Sequence, residues 1–143
     1  MNKSYFLLIM LALFSVSISF AQDLEKHQWK NRLVLIMTSN IKSKLFNKQI
    51  ATLTANINGL KERKTIVYKI IPNHYELTHN NGSWITDKNF YDRFKKTKNT
   101  FEVILIGLDG GVKLRQNEVL TIKKLFTLID GMPMRQSEMK NRN

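Results

Sequence analysis

The sequence predicts an α/β domain built on one central mixed sheet with helices on both faces. Three observations carry that prediction. Apolar runs of strand length recur at residues 32–37, 65–71 and 101–108 with few polar interruptions, the pattern of strands buried on both faces. Between and after them, apolar side chains recur at helical spacing, at Phe46, Ile50, Leu53, Ile57 and Leu60 and again at Ile122, Leu125, Phe126 and Ile129. Finally, Asp109-Gly110 lies between two strand-like segments, the signal of a tight hairpin. The 143 residues, 43% hydrophobic, suffice for one core and are too few for two ordinary domains.

The chain opens with Lys3, an apolar run from Tyr5 to Phe20, and Ser19-Phe20-Ala21, a small-x-small cleavage pattern. Residues 1–21 therefore read as a secretory signal peptide, and residues 22–143 as the mature domain, periplasmic or extracellular. A retained anchor would need about 20 apolar residues, more than this run supplies. The chain has no cysteine, so neither a lipidated cysteine nor a disulfide is available, and the domain must hold itself by packing.

The run Arg32-Leu33-Val34-Leu35-Ile36-Met37 is the first strand. Ser39, Asn40 and Ser43 offer oxygens to start a helix of about four turns that Gly59 and the charged stretch 61–64 end. Thr65 begins the second strand and Pro72 closes it, giving a β-α-β crossover. The signal weakens over residues 73–86, where Asn80-Asn81-Gly82 suggests a turn between Tyr75-Glu76-Leu77 and Trp84-Ile85. Thr86 or Asp87 caps a short helix with Phe90 and Phe94 on one face. The third strand starts at Phe101, Val112-Lys113-Leu114-Arg115 returns from the hairpin, and Thr121 caps the last helix, which Gly131 and Pro133 stop.

Net charge is +12, and only Lys3 falls in the leader, so the mature domain keeps +11. Such a field draws a protein towards anionic surfaces and also keeps it soluble without any partner. Most of the excess is lysine, which favours diffuse attraction over bidentate recognition.

The order of elements resembles the thioredoxin fold, in which a β-α-β half is joined by a helix to a β-β-α half. The local sequence is closer to one group. The segment Ile106-Gly107-Leu108-Asp109-Gly110-Gly111-Val112-Lys113-Leu114-Arg115, the segment Leu125-Phe126-Thr127-Leu128-Ile129-Asp130-Gly131-Met132-Pro133-Met134-Arg135, and Trp29 followed by Arg32-Leu33-Val34-Leu35 resemble the domain-of-unknown-function 4174 family. Domains of that family occur in bacterial exported proteins and in animal extracellular-matrix proteins, where a thioredoxin-like or peroxiredoxin-like fold is inferred. The resemblance implies fold and export but brings no catalytic residues. On the thioredoxin pattern the redox Cys-x-x-Cys pair would fall at Asn40, Ile41, Lys42, Ser43 and Lys44, and the facing cis-proline near Glu102; neither cysteine nor proline stands there. Thiol oxidoreductase chemistry is thereby excluded.

Among candidate binding residues, Lys113 and Arg115 are two apart on an edge strand and are expected to project from one face, with Arg135 nearby after the last helix. They suit an anionic partner; equally, charge on an edge strand blocks sheet-to-sheet aggregation. Arg93-Phe94-Lys95-Lys96-Thr97-Lys98 mixes basic and aromatic residues as single-strand nucleic-acid binders do, but Phe94 reads better as core and nucleic acid is disfavoured. His27, His74 and His79 lack local ligand spacing, so no metal site and no cofactor is expected. Ser39 and Ser43 sit in no nucleophile elbow. Met132, Met134 and Met139 read as gap-fillers or an adaptable surface. Asp109, Gly110 and Gly111 form a structural turn rather than a phosphate loop, because they join two strands instead of opening a helix. Asn81-Gly82-Ser83 is a glycosylation sequon.

These readings favour a non-catalytic module that binds a protein or an anionic envelope or matrix component. The alternative is an enzyme or enzyme subunit of thioredoxin-like or peroxiredoxin-like lineage working through the polar stretch Asn40 to Lys44.

Overall fold

The computed structural model describes residues 22–78 and 82–142. The expected leader, its cleavage site, His79, Asn80 and Asn81 lie outside the described residues. Strand β1 (Arg32–Thr38) pairs parallel with β2 (Thr65–Ile71) on one side and antiparallel with β5 (Phe101–Ile106) on the other. Strands β3 (His74–Leu77), β4 (Ile85–Thr86) and β6 (Val112–Gln116) complete a six-stranded mixed sheet in the order β4-β3-β2-β1-β5-β6. All seven residues of β1 and all six of β5 are buried, which is why Leu33 to Met37 and Val103 to Ile106 read as continuous apolar runs. The β2-β1-β5-β6 centre with its βαβ and ββα halves is consistent with a thioredoxin-like α/β fold.

Alternation along the strands sorts the apolar side chains into two cores. On one face Val34, Ile36, Val67, Val103 and Leu105 meet helices α2 (Lys44–Thr54), α3 (Ile57–Glu62) and α5 (Ile122–Asp130) through Phe46, Leu53, Leu60, Leu125 and Ile129. On the other, Leu35, Met37, Tyr68, Ile70, Tyr75 and Ile104 pack against helix α4 (Phe90–Phe94). There Phe90 stacks on Tyr75 and Tyr68 at centroid separations of 4.7 and 5.9 Å, adding aromatic pairing to the area term. A short helix α1 (Gln22–Glu25) precedes β1.

Four local features differ from the sequence expectation. The first long helix is two: Asn56 leaves helical geometry with φ −120° and ψ 27°, and the chain restarts at Ile57. Asn56, Asn58 and Gly59 are all poor helix formers, yet the break keeps Leu60 on the core face, fully buried. Gly59 does not end the helix; it lies inside α3. Pro72 closes β2 as expected but also starts a two-residue hairpin into β3, with Ile71 opposite His74 and Asn73 at φ 66°, a Pro-Asn turn of type II character. The pairing of Tyr75 with Ile85 joins the two segments flanking residues 80–82. Pro133 does not simply stop the last helix: it takes the first position of a further helix, α6 (Pro133–Lys140), where its missing N–H costs nothing.

Candidate functional site

The β5-β6 hairpin and the corner between α5 and α6 face each other across a cleft of about 570 Å³. Local sequence shapes both walls. In the hairpin Gly110 adopts φ 80°, Gly107 N–H donates to Gly111 O at 2.9 Å, and Asp109 Oδ1 accepts from Gly111 N at 3.1 Å. A β-carbon on Gly107 would lie 2.5 Å from Cε of Lys113 and 2.8 Å from Oδ1 of Asp109, so glycine lets the ion pair close over the strand end. Asp109 and Lys113 are joined at 2.6 Å. That contact, with the Gly111 N–H, holds the Asp109 carboxyl below the usual carboxylate range. In the opposite wall Gly131 ends α5 and Pro133 opens α6, turning Leu128, Met132 and Met134 towards the hairpin. Thr127, exposed on α5, stands at the cleft, and Arg32, itself fully buried, completes the lining.

Arg32 belongs to a charge network behind the cleft. It donates to Arg63 O at 2.9 Å and meets Glu138 at 3.3 Å. Arg63 grips Asp130 with two nitrogens, at 2.9 and 2.6 Å, while lying 4.0 Å over the Phe126 ring. Arg135 reaches Glu62 at 2.7 Å, Asp130 at 3.2 Å and Glu138 at 3.5 Å. Burial pushes the carboxyls of Asp130 and Glu138 upward, but the arginines outweigh it and both sit below their ordinary range. Burial likewise lowers Arg135, and Glu62 and Asp130 more than restore it. Exposed Lys64 and Arg142 join at the rim, 3.7 Å from Glu138 and 3.6 Å from Glu62, while the charges of Arg32, Arg63 and Arg135 are taken up by the three carboxylates behind the cleft.

The basic stripe expected from Lys113, Arg115 and Arg135 is not one surface. Arg135 is 1% exposed and consumed by the network. Pairing jumps from Leu105 opposite Leu114 to Ile106 opposite Val112, which makes Lys113 the extra residue of a bulge. The two-residue periodicity therefore fails: Lys113 lines the cleft, whereas Arg115 donates to Phe94 O at 2.9 Å and to the buried carboxylate of Glu102. Lys113 alone of the three stands at a concave surface.

Asn40, Ile41, Lys42 and Ser43 connect β1 to α2, and Lys44 opens that helix. Their polar groups build the turn. Asn40 Oδ1 accepts from Lys42 N at 3.0 Å, Ser43 Oγ caps the helix by accepting from Phe46 N at 3.5 Å, and Asn47 Nδ2 donates to Ile41 O and Ser43 O. Ile41, Lys42 and Lys44 are exposed.

The sequence reading missed Glu102, a fully buried carboxylate on β5 held by Arg115 and, at 3.6 Å, by Lys95. The available signal was an acidic residue inside an apolar strand, which needs a cation. Lys95 thus turns inward, and Arg93 lies over Phe90 and Phe94 at 5.4 and 4.9 Å, so the basic-aromatic stretch folds largely onto itself. His27 is buried with Nε2 2.7 Å from the Tyr68 hydroxyl, and His74 is 3.4 Å from Pro72 O. Among the described residues no group of three or more His, Asp or Glu could hold a metal ion, and no helix is long and apolar enough to cross a membrane. Met132 packs partly against the core, and Met134 is exposed.

A search of curated proteins finds no match for this chain. The family model described as a domain of unknown function, DUF4174, matches residues 23–138, spanning the sheet, both cores and the cleft, and the chain belongs to that family.

Proposed function

We propose that the protein is an exported, non-catalytic binding module that engages a protein or an anionic envelope or matrix component through the cleft between the β5-β6 hairpin and the α5-α6 corner. One observation carries this reading: both segments that resemble the family most distinctively, residues 106–115 and 125–135, supply walls of one concave site with apolar sides and a lysine at its edge. A small number of polar groups in an otherwise apolar concavity is the usual character of a binding site. Export rests on the leader-like start of the sequence.

The test is affinity capture from native envelope extract over a salt series, with the protein beside its Thr127→Trp and Lys113→Ala variants. A discrete partner that survives moderate salt, and is lost when the indole fills the cleft, supports the module. Diffuse capture that fades equally for all three as salt rises reduces the positive charge to a solvated surface. The enzymatic alternative has against it that Asn40 and Ser43 already serve the turn and the helix cap. A reproducible turnover abolished by substitutions at Asn40 to Lys44 would favour it instead.

A further inference from the structure

Resting on the reading of the cleft as a binding site, we infer that its ligand is an amphiphilic monoanion: an unbranched aliphatic chain ending in a carboxylate. The side of the site that receives the chain is apolar, formed by Leu108, Leu128, Met132 and Met134. Methionine in two of the four positions gives walls that adjust to a flexible chain. The volume of about 570 Å³ lies within the range of small-molecule sites.

One cationic group at this site has donors to spare. Lys113 Nζ gives one proton to Asp109 and retains two. Arg32 also borders the site, but it is 0% exposed and its terminal nitrogens are engaged by Glu138 and Arg63 O, so it forms part of the wall and leaves the anion to Lys113. A peptide fits less well, because each of its residues brings a backbone donor and an acceptor that must be satisfied, and these walls offer few polar groups. Strand addition at the neighbouring edge is also hindered, since the bulge at Lys113 interrupts the ladder of β6.

Asp109 gives the inference its sharpest test. Its carboxylate competes with the ligand for Lys113 and repels a second anion. Asp109→Asn keeps an oxygen for the Gly111 N–H while removing that charge. Sodium decanoate, below its micellar concentration, is titrated into the ¹⁵N-labelled protein, with 1-decanol as the uncharged comparator. Expected are saturable amide shifts confined to the cleft, centred on Leu108, Lys113, Leu128 and Met132, and weaker binding of decanol. Asp109→Asn should tighten decanoate binding several-fold, Lys113→Met should weaken it several-fold, and Thr127→Trp should abolish it while leaving the unfolding midpoint near that of the parent.

Equal affinity for decanol and decanoate overturns the anionic part, as does indifference to both charge substitutions. Shifts spread over the surface, or unaffected by Thr127→Trp, overturn the site. Absent decanoate binding with a captured partner still lost in Thr127→Trp defeats this ligand class and leaves the binding module standing; absence of both defeats both.

Discussion

Arg135 shows how much a single buried cation can organise. Its guanidinium, 1% exposed, contacts the carboxylates of Glu62, Asp130 and Glu138 and also donates to Glu62 O at 3.2 Å, tying α3, α5 and α6 together. Removing one partner of such a cluster strands the rest. Arg135→Ala should cost about 3 kcal/mol in urea unfolding, the low end of the range for broken buried pairs, because Glu62 and Asp130 are partly solvated. A cost below about 1 kcal/mol, the worth of an exposed pair, would show the network to be ornamental. Glu102 poses the complementary case. Alone, Glu102→Leu leaves Arg115 and Lys95 facing an apolar pocket without their anion. Adding Arg115→Leu should recover a large part of the loss, since apolar replacement of a whole buried pair is often close to neutral. A double-mutant cycle by urea denaturation measures this, and strictly additive losses would contradict it.

Among the elements, the contact of α3 with α5 depends on Gly59. A β-carbon there would approach Phe126 to 2.6 Å, and the Arg63 guanidinium, 4.0 Å over the Phe126 ring, restricts how far that ring can move. Helix propensity favours Gly→Ala by about 1 kcal/mol, whereas forcing extra volume into a packed contact costs about 1–3 kcal/mol. Gly59→Ala should therefore lower the melting temperature, and a higher one would mean that the ring moves aside freely. This packing role was hidden in the sequence, where glycine followed by charge reads as a helix stop. The Pro72-Asn73 turn and helix α6 were hidden for a related reason: proline reads as an end, and whether the chain then reverses or restarts depends on what the next residues can pack against. By contrast, β1, β2, β5, the Thr121 cap and the Asp109-Gly110 turn were legible, because each rests on local pattern. Thr121 Oγ1 accepts from Lys124 N at 3.3 Å, as its position before the periodic run implies.

The whole molecule is a sheet with a core on each face and a large positive charge, and the two properties meet in its response to acid. Asp130 and Glu138 titrate below their ordinary values of 3.8 and 4.5 in the folded protein. Between the folded and unfolded values the unfolded chain binds more protons, so this contribution to stability is complete above about pH 4.5 and is lost as pH falls through the folded values. Protonating carboxylates also raises a net charge that is already +12, adding self-repulsion of the same sign. The urea midpoint should hold from neutral pH to about 4.5 and then fall. Asp130→Asn should lower the plateau and flatten the acid limb; a parallel limb would assign acid sensitivity elsewhere.

The sequence by itself determined the α/β class, the order of the main strands and helices, the absence of cysteine and the family resemblance, because period, caps, turn residues and composition are local properties of the chain. It also located the loop from Asn40 to Ser43 between the first strand and the helix that follows. Only the tertiary structure decided which charges are surface charges. Lys113, Arg115 and Arg135 look alike in a sequence, but a one-residue bulge sends Lys113 to the cleft, register places Arg115 beside Ile104 within reach of Glu102, and a helix beginning at Pro133 buries Arg135. Charge pairing between residues as far apart as Arg32 and Glu138 is set by how elements pack, and no local pattern along the chain encodes it.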